Sequence, residues 1–166
     1  MIRISPLAKA LALAAAASTL AAGAALAQTA PPPPPAAEAP ADLSGLVAAR
    51  QGGMAMAVYA LGAISSGVEK QAPTKSMGLA AMGLSEFAQS LPVLFDPATQ
   101  AVAGSDAKPD LYSDWAGFSQ RAAAFHDAAE AMRAAIAKDD ATALATALAS
   151  TKAACKACHD SYRAEH

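Results

Sequence analysis

Residues 111–136 read LYSDWAGFSQRAAAFHDAAEAMRAAI. Within this stretch Leu111, Trp115, Phe118, Ala122, Phe125, Ala129, Met132 and Ile136 recur at alternating steps of four and three. On a helix turning about 100° per residue, that rhythm puts all eight side chains on one stripe. A stripe sustained for so many turns faces its neighbours at a shallow crossing angle, which is the geometry of left-handed bundle packing. The stretch therefore predicts a long helix inside a bundle of helices.

Three further blocks carry the same signature. In the first, Leu43, Val47, Met54, Val58 and Leu61 share a face that also holds Arg50; in the second, Met77, Ala80, Leu84, Phe87, Leu91 and Leu94 do so. In the last, the seam runs through Leu144, Leu148, Thr151, Cys155, Cys158 and Tyr162. Breakers separate the blocks: GVEKQAPTK at 67–75, DPATQAVAGSDAKPD at 96–110 and KDDAT at 138–142, where Asp139 or Asp140 is placed to cap the next helix. The predicted fold is all-α, an antiparallel up-down four-helix bundle of left-handed twist.

Composition agrees with that reading. The chain has 166 residues, 54% of them hydrophobic but only 5% aromatic, and much of the apolar fraction is alanine. Alanine favours helices and buries little area, so one modest core must rest on a few Leu, Met, Phe and Trp positions. The formal net charge of −2 shows no basic excess, which argues against a nucleic-acid partner.

The chain starts with an address. Residues 1–28, MIRISPLAKALALAAAASTLAAGAALAQ, combine Arg3 and Lys9 with a long Ala/Leu run and a small-x-small close at Ala25–Ala27. This is the pattern of a signal peptide over 1–27, and it predicts a periplasmic, exported protein; an uncleaved anchor is the competing reading. Removal of these two of the 12 basic residues leaves 10 against 14 acidic ones, a net charge of −4. Residues 28–41 hold five consecutive prolines, which favour an extended polyproline spacer. The folded domain is expected over 42–166.

The last block ends in TKAACKACHDSYRAEH, residues 151–166, with both cysteines of the chain in Cys155-x-x-Cys158-His159. On a helix these three side chains project from one face. Two thiols so spaced match the two vinyl groups of a haem, and the adjacent imidazole is placed to bind its iron. The competing readings explain less. A thioredoxin-like redox pair wants a strand–helix unit that has no counterpart here. A zinc site needs four ligands, and beyond His159 the only other histidines are His126 and His166. A disulfide across one helical turn closes too small a loop to stabilise much.

CKACHDSYR at 155–163, RQGGM at 50–54, LPVLF at 91–95 and GSDAKPDLYSDWAGF at 104–118 together resemble the cytochrome c′ family, the class II c-type cytochromes. The resemblance spans about residues 43–163. It implies the up-down bundle, of which cytochrome c′ is itself a standard example. It also implies one covalent haem c on Cys155 and Cys158, His159 as proximal iron ligand, and Arg50 close to the haem propionates. Met54 falls at the family's distal position, where a methionine binds iron in low-spin members and only crowds an open site in high-spin ones. Gly52 and Gly53 leave room beside Met54 and loosen the helix there, at a cost of about 1 kcal/mol each. One departure is Tyr112, where the family usually has Trp; the single Trp here, Trp115, lies on the apolar seam as a core residue. His126 reads as a partly exposed surface residue.

Two functions follow from the sixth coordination position. If Met54 ligates, the protein is a one-electron carrier serving redox partner proteins; if not, it is a five-coordinate binder of small gases such as NO or CO. No acid–base pair appears in the motif, so the chain does not read as an enzyme. The resemblance also allows homodimers through the first two helices, an approach that the Gly- and Ala-rich first helix permits, though the same helix is equally compatible with a monomer.

Overall fold

The computed structural model describes residues 42–165. The expected signal peptide over 1–27, the linker over 28–41 and His166 lie outside the described residues. Four long helices carry the fold: α1 (Ser44–Glu69), α2 (Gly78–Leu94), α4 (Trp115–Ala137) and α5 (Ala141–Tyr162), with a single extra turn, α3 (Asp110–Ser113), ahead of α4. Helix α1 packs on α2 and α5, and α4 packs on the same two, which closes the four into a bundle with the chain running up and down in alternation. No strand occurs among the described residues; the one bridge pairs Ala107 with Arg163.

The third apolar block differs from its prediction in one respect. It is broken at Asp114, whose backbone (φ −107°, ψ 53°) leaves the helical region between α3 and α4. The Asp114 side chain accepts a hydrogen bond from the Gly117 N–H at 3.1 Å and so satisfies a first-turn donor of α4. The apolar stripe passes through the break unharmed, because Leu111 and Phe118 are both buried. At the start of α5, Asp140 is the cap, accepting from Ala143 N at 2.9 Å. Asp139 instead takes a positive φ of 54° and accepts a short hydrogen bond from the Thr74 hydroxyl, tying two connections at the same end of the bundle.

The core runs through Ile64, Leu84, Leu91, Phe118, Phe125, Met132 and Leu144, interleaved with buried alanines at 81, 88, 122, 129, 135 and 147. Those alanines let the helices approach closely. Gly53 does the same for α1 and α2, since a Cβ there would overlap the Phe87 ring. Gly53 thus serves helix contact, whereas a Cβ at Gly52 would meet open space. A buried Ser85 hydroxyl donates to the Glu130 carboxylate and links α2 to α4, so that this buried polar group is not left unpaired.

The long connection from α2 to α3 is ordered by local bonds. Asp96 accepts from Ala98 N at 2.7 Å, and the fully buried Thr99 donates to the Asp96 carbonyl at 2.7 Å. The far end of α5 is stapled onto this connection: Lys108 N donates to Tyr162 O and Ala164 N to Asp106 O, both at 2.8 Å.

Candidate functional site

Where α1 faces α5, the bundle is not filled. A cavity of about 810 Å³ opens there, walled by α1 on one side and the last three turns of α5 on the other, with Leu91, Leu111, Phe118 and Phe125 behind. That volume lies toward the upper end of the roughly 300–1,000 Å³ usual for ligand pockets. The cavity exists because the inward positions of α1 are short of partners: Met54 and Leu61 are half-buried, and Val58 is 71% exposed although it belongs to the predicted seam. Val58 is therefore a correction to the sequence expectation, since it borders an open cavity rather than the core.

On α5 the helical spacing does what the motif requires. Cys155, Cys158 and His159 all line the cavity, and both thiols are free. Burial pushes both thiols up, with the Arg121 charge pulling Cys158 partly back. Burial pushes His159 down, the Arg163 guanidinium adds to that, and Asp160 opposes it. The imidazole is accordingly neutral at pH 7 and keeps a lone pair for a metal.

The facing wall brings Arg50 and Met54 to the same cavity, so the five site residues named from the sequence converge. Arg50 is not a solvated arginine: it is 3% exposed. Its guanidinium donates to the Leu94 carbonyl at 3.2 Å, Thr99 Oγ1 at 2.8 Å and Ser105 Oγ at 2.5 Å, and lies 4.6 Å over the Phe95 ring centroid. Lys152, Asp106 and Arg163 add charged groups to the cavity wall. Sequence reading missed Lys152, although its place seven residues before His159 puts it on the same face. Nothing in the sequence marks Thr99 or Ser105 as partners of Arg50.

The remaining candidates lie elsewhere. Trp115 packs on Phe118 with ring centroids 5.1 Å apart and is a core residue, absent from the cavity wall. His126 is half-exposed, 3.8 Å from Asp127. Among the described residues, no group of three or more His, Cys, Asp or Glu side chains could hold a metal ion. The residues present do fit a haem: two reduced thiols one turn apart, a neutral imidazole beside them, an apolar rear wall for a macrocycle and cationic groups for its carboxylates.

Comparison with known proteins agrees. The cytochrome c′ family model matches residues 45–163. The cytochrome c′ of Alcaligenes xylosoxydans xylosoxydans is 34% identical over 116 residues, which cover 69% of this chain and 89% of that protein. The crystal structure of cytochrome c′ from Thermochromatium tepidum superposes with a TM-score of 0.70 at 31% identity, covering 76% of this chain and all of the other. A nitric oxide complex of a variant cytochrome c′ from Alcaligenes xylosoxidans gives a TM-score of 0.69 at 30% identity, over 76% and 98% of the two chains.

Proposed function

Because the chain belongs to the cytochrome c′ family, whose members bind haem, we propose that it is a periplasmic one-electron carrier. Cys155 and Cys158 would hold one haem c covalently, and His159 and Met54 would offer donors to its iron. Haem bound there supplies an iron centre that changes oxidation state by one electron. The rest is done by the chain. The thiols fix the cofactor to α5, and the neutral His159 imidazole offers its lone pair from the same helix. The apolar wall of Leu91, Phe118 and Phe125 limits water around the centre. The observation that carries the carrier reading is the position of Met54, a half-buried thioether on the wall facing His159. A soft neutral sulfur donor stabilises ferrous iron and saturates its coordination, which suits electron exchange.

The gas-binding reading keeps one observation in its favour, that a variant of the similar cytochrome c′ from Alcaligenes xylosoxidans forms a nitric oxide complex. The exposed apolar residues Met56 and Tyr59 on α1, with Leu79 on α2, favour a homodimer through these two helices, and a similar cytochrome c′ shows ligand-controlled dimer dissociation.

One preparation tests the proposal. The intact mass of the purified protein should equal a chain starting at Gln28 plus one haem, and the oxidised form should show a near-infrared sulfur-to-iron band. Reduced protein should take up carbon monoxide poorly, and Met54→Ala should abolish the band and open the iron to it. Wild-type protein that takes up carbon monoxide readily would transfer the assignment to gas binding.

A further inference from the structure

Burying an arginine removes a charged group from water, and the cost is met only where its N–H groups find acceptors. Arg50 is 3% exposed and borders the cavity. Its acceptors, the Leu94 carbonyl and the hydroxyls of Thr99 and Ser105, are all neutral. These three neutral acceptors fix the guanidinium in place without taking its charge, and the Asp106 carboxylate lines the same cavity. The three acceptors also come from a segment 44 to 55 residues away in the chain, so the position of the charge depends on how that segment is held.

Thr99 is the pivot. It is fully buried, and its hydroxyl proton is committed to the Asp96 carbonyl at 2.7 Å. Its lone pairs are then left to accept from Arg50 at 2.8 Å and from the Tyr112 hydroxyl at 3.1 Å, which assigns Tyr112 as donor in that pair. Every bonding capacity of the hydroxyl is used. Tyr112 sits on α3, the turn kept apart from α4 by Asp114, and it reaches back to lock the connection that cradles Arg50.

We propose that Thr99 and Tyr112 are positioning residues that hold the Arg50 charge against the cavity, and that this charge raises the reduction potential of the bound iron. The sign follows from electrostatics: a fixed positive charge in a poorly solvated wall disfavours the more positive ferric state. The inference rests on haem occupying the cavity but not on Met54 being a ligand.

The test is an equilibrium redox titration of the holoprotein. Thr99→Val and Tyr112→Phe should each lower the ferrous-to-ferric ratio at a fixed applied potential by up to tenfold, which is 59 mV for a one-electron couple. Arg50→Gln should lower it at least as far, and Thr99→Ser, which keeps the hydroxyl, should retain the wild-type value. Tyr112→Phe added to Arg50→Gln should produce no further shift, because the tyrosine acts only through the arginine. A merely structural tyrosine would shift both backgrounds alike. If Thr99→Val does not fold, Tyr112→Phe, which deletes one hydroxyl from a half-buried residue, decides the matter. Ratios within twofold of wild type in Tyr112→Phe, or equal shifts with and without Arg50, overturn the proposal. The titration reads the iron whatever its sixth donor, so this failure is distinct from failure of the carrier reading, which carbon monoxide uptake reports.

Discussion

Helices α1 and α4 are similar in length and carry similar apolar spacing, yet they are used in opposite ways. Helix α4 buries Phe118, Ala122, Phe125, Ala129, Met132, Ala135 and Ile136, whereas α1 buries only Val47, Arg50 and Ile64. On α4 the polypeptide supplies its own packing partners from α2 and α5. On α1 the stripe continues through Met54, Val58 and Leu61, but what faces it is the cavity. An apolar stripe states that something packs there; it does not state that the something is protein. In a chain this rich in alanine, a haem held there would stand where a core would otherwise be.

The contrast can be broken by a pair of truncations. Met132→Ala removes a fully buried side chain of α4 away from the cavity, and unfolding of the holoprotein in urea should show a loss of about 2–5 kcal/mol. Leu61→Ala removes a half-buried side chain of the cavity wall and should cost about 1 kcal/mol while shifting the haem absorption bands. Equal losses, or a spectral change from Met132→Ala instead, would mean that the two stripes are not used differently.

The same contrast explains what the sequence disclosed. The α4 stripe was legible in full, because its partners are regular helices and a three-four rhythm encodes such packing directly. The cysteine–histidine face of α5 was legible for the same reason. The α1 stripe misled at Val58, since what faces it is an open cavity rather than a protein partner. The partners of Arg50 were hidden because they lie on an irregular connection some 50 residues away, where no periodicity operates. The break at Asp114 was hidden too, because capping chemistry there interrupts the helix without disturbing the stripe.

A sharper probe uses two neighbours on α1. Gly52 and Gly53 look interchangeable in sequence, both as relief beside Met54. In the structure a Cβ at position 53 would drive into the Phe87 ring, while one at position 52 would meet nothing. Gly53→Ala should therefore destabilise by about 1–3 kcal/mol through overpacking. Gly52→Ala should stabilise by up to about 1 kcal/mol through helix propensity alone. Opposite signs from adjacent residues, read by thermal unfolding, would show that the α1–α2 contact is fixed at Gly53 while the exposed position 52 stays tolerant. The same sign at both sites would remove Gly53 from the packing argument.

The smallest effect should come from the bond that ties the well-packed half together. The Tyr162 hydroxyl donates to Asp114 Oδ2 at 2.6 Å, joining the end of α5 to the start of α4. That hydroxyl, and then the Gly117 N–H, hold the Asp114 carboxyl below its ordinary value; the carboxylate in turn raises the Tyr162 phenol. A depressed carboxyl contributes stability that is present above its unfolded value, about 3.9, and is lost as pH falls through the folded one. A raised phenol contributes stability that is present below about 10 and is lost as pH rises through its folded value. One bond thus appears at both ends of the pH profile. Asp114→Asn should flatten the acid limb of the stability curve by lowering stability at neutral pH toward its acid value, with little change below the folded carboxyl value. Tyr162→Phe should relax both limbs, the alkaline one by removing the titrating group and the acid one by restoring Asp114 toward its ordinary value. Asp114 is not part of the cavity wall, so Asp114→Asn should leave the haem spectrum unchanged, whereas Tyr162 lines the cavity and its variant is read by stability alone. An acid limb unchanged in Asp114→Asn would show that the carboxylate does not stabilise this junction, and that α4 and α5 are held by their apolar seam alone.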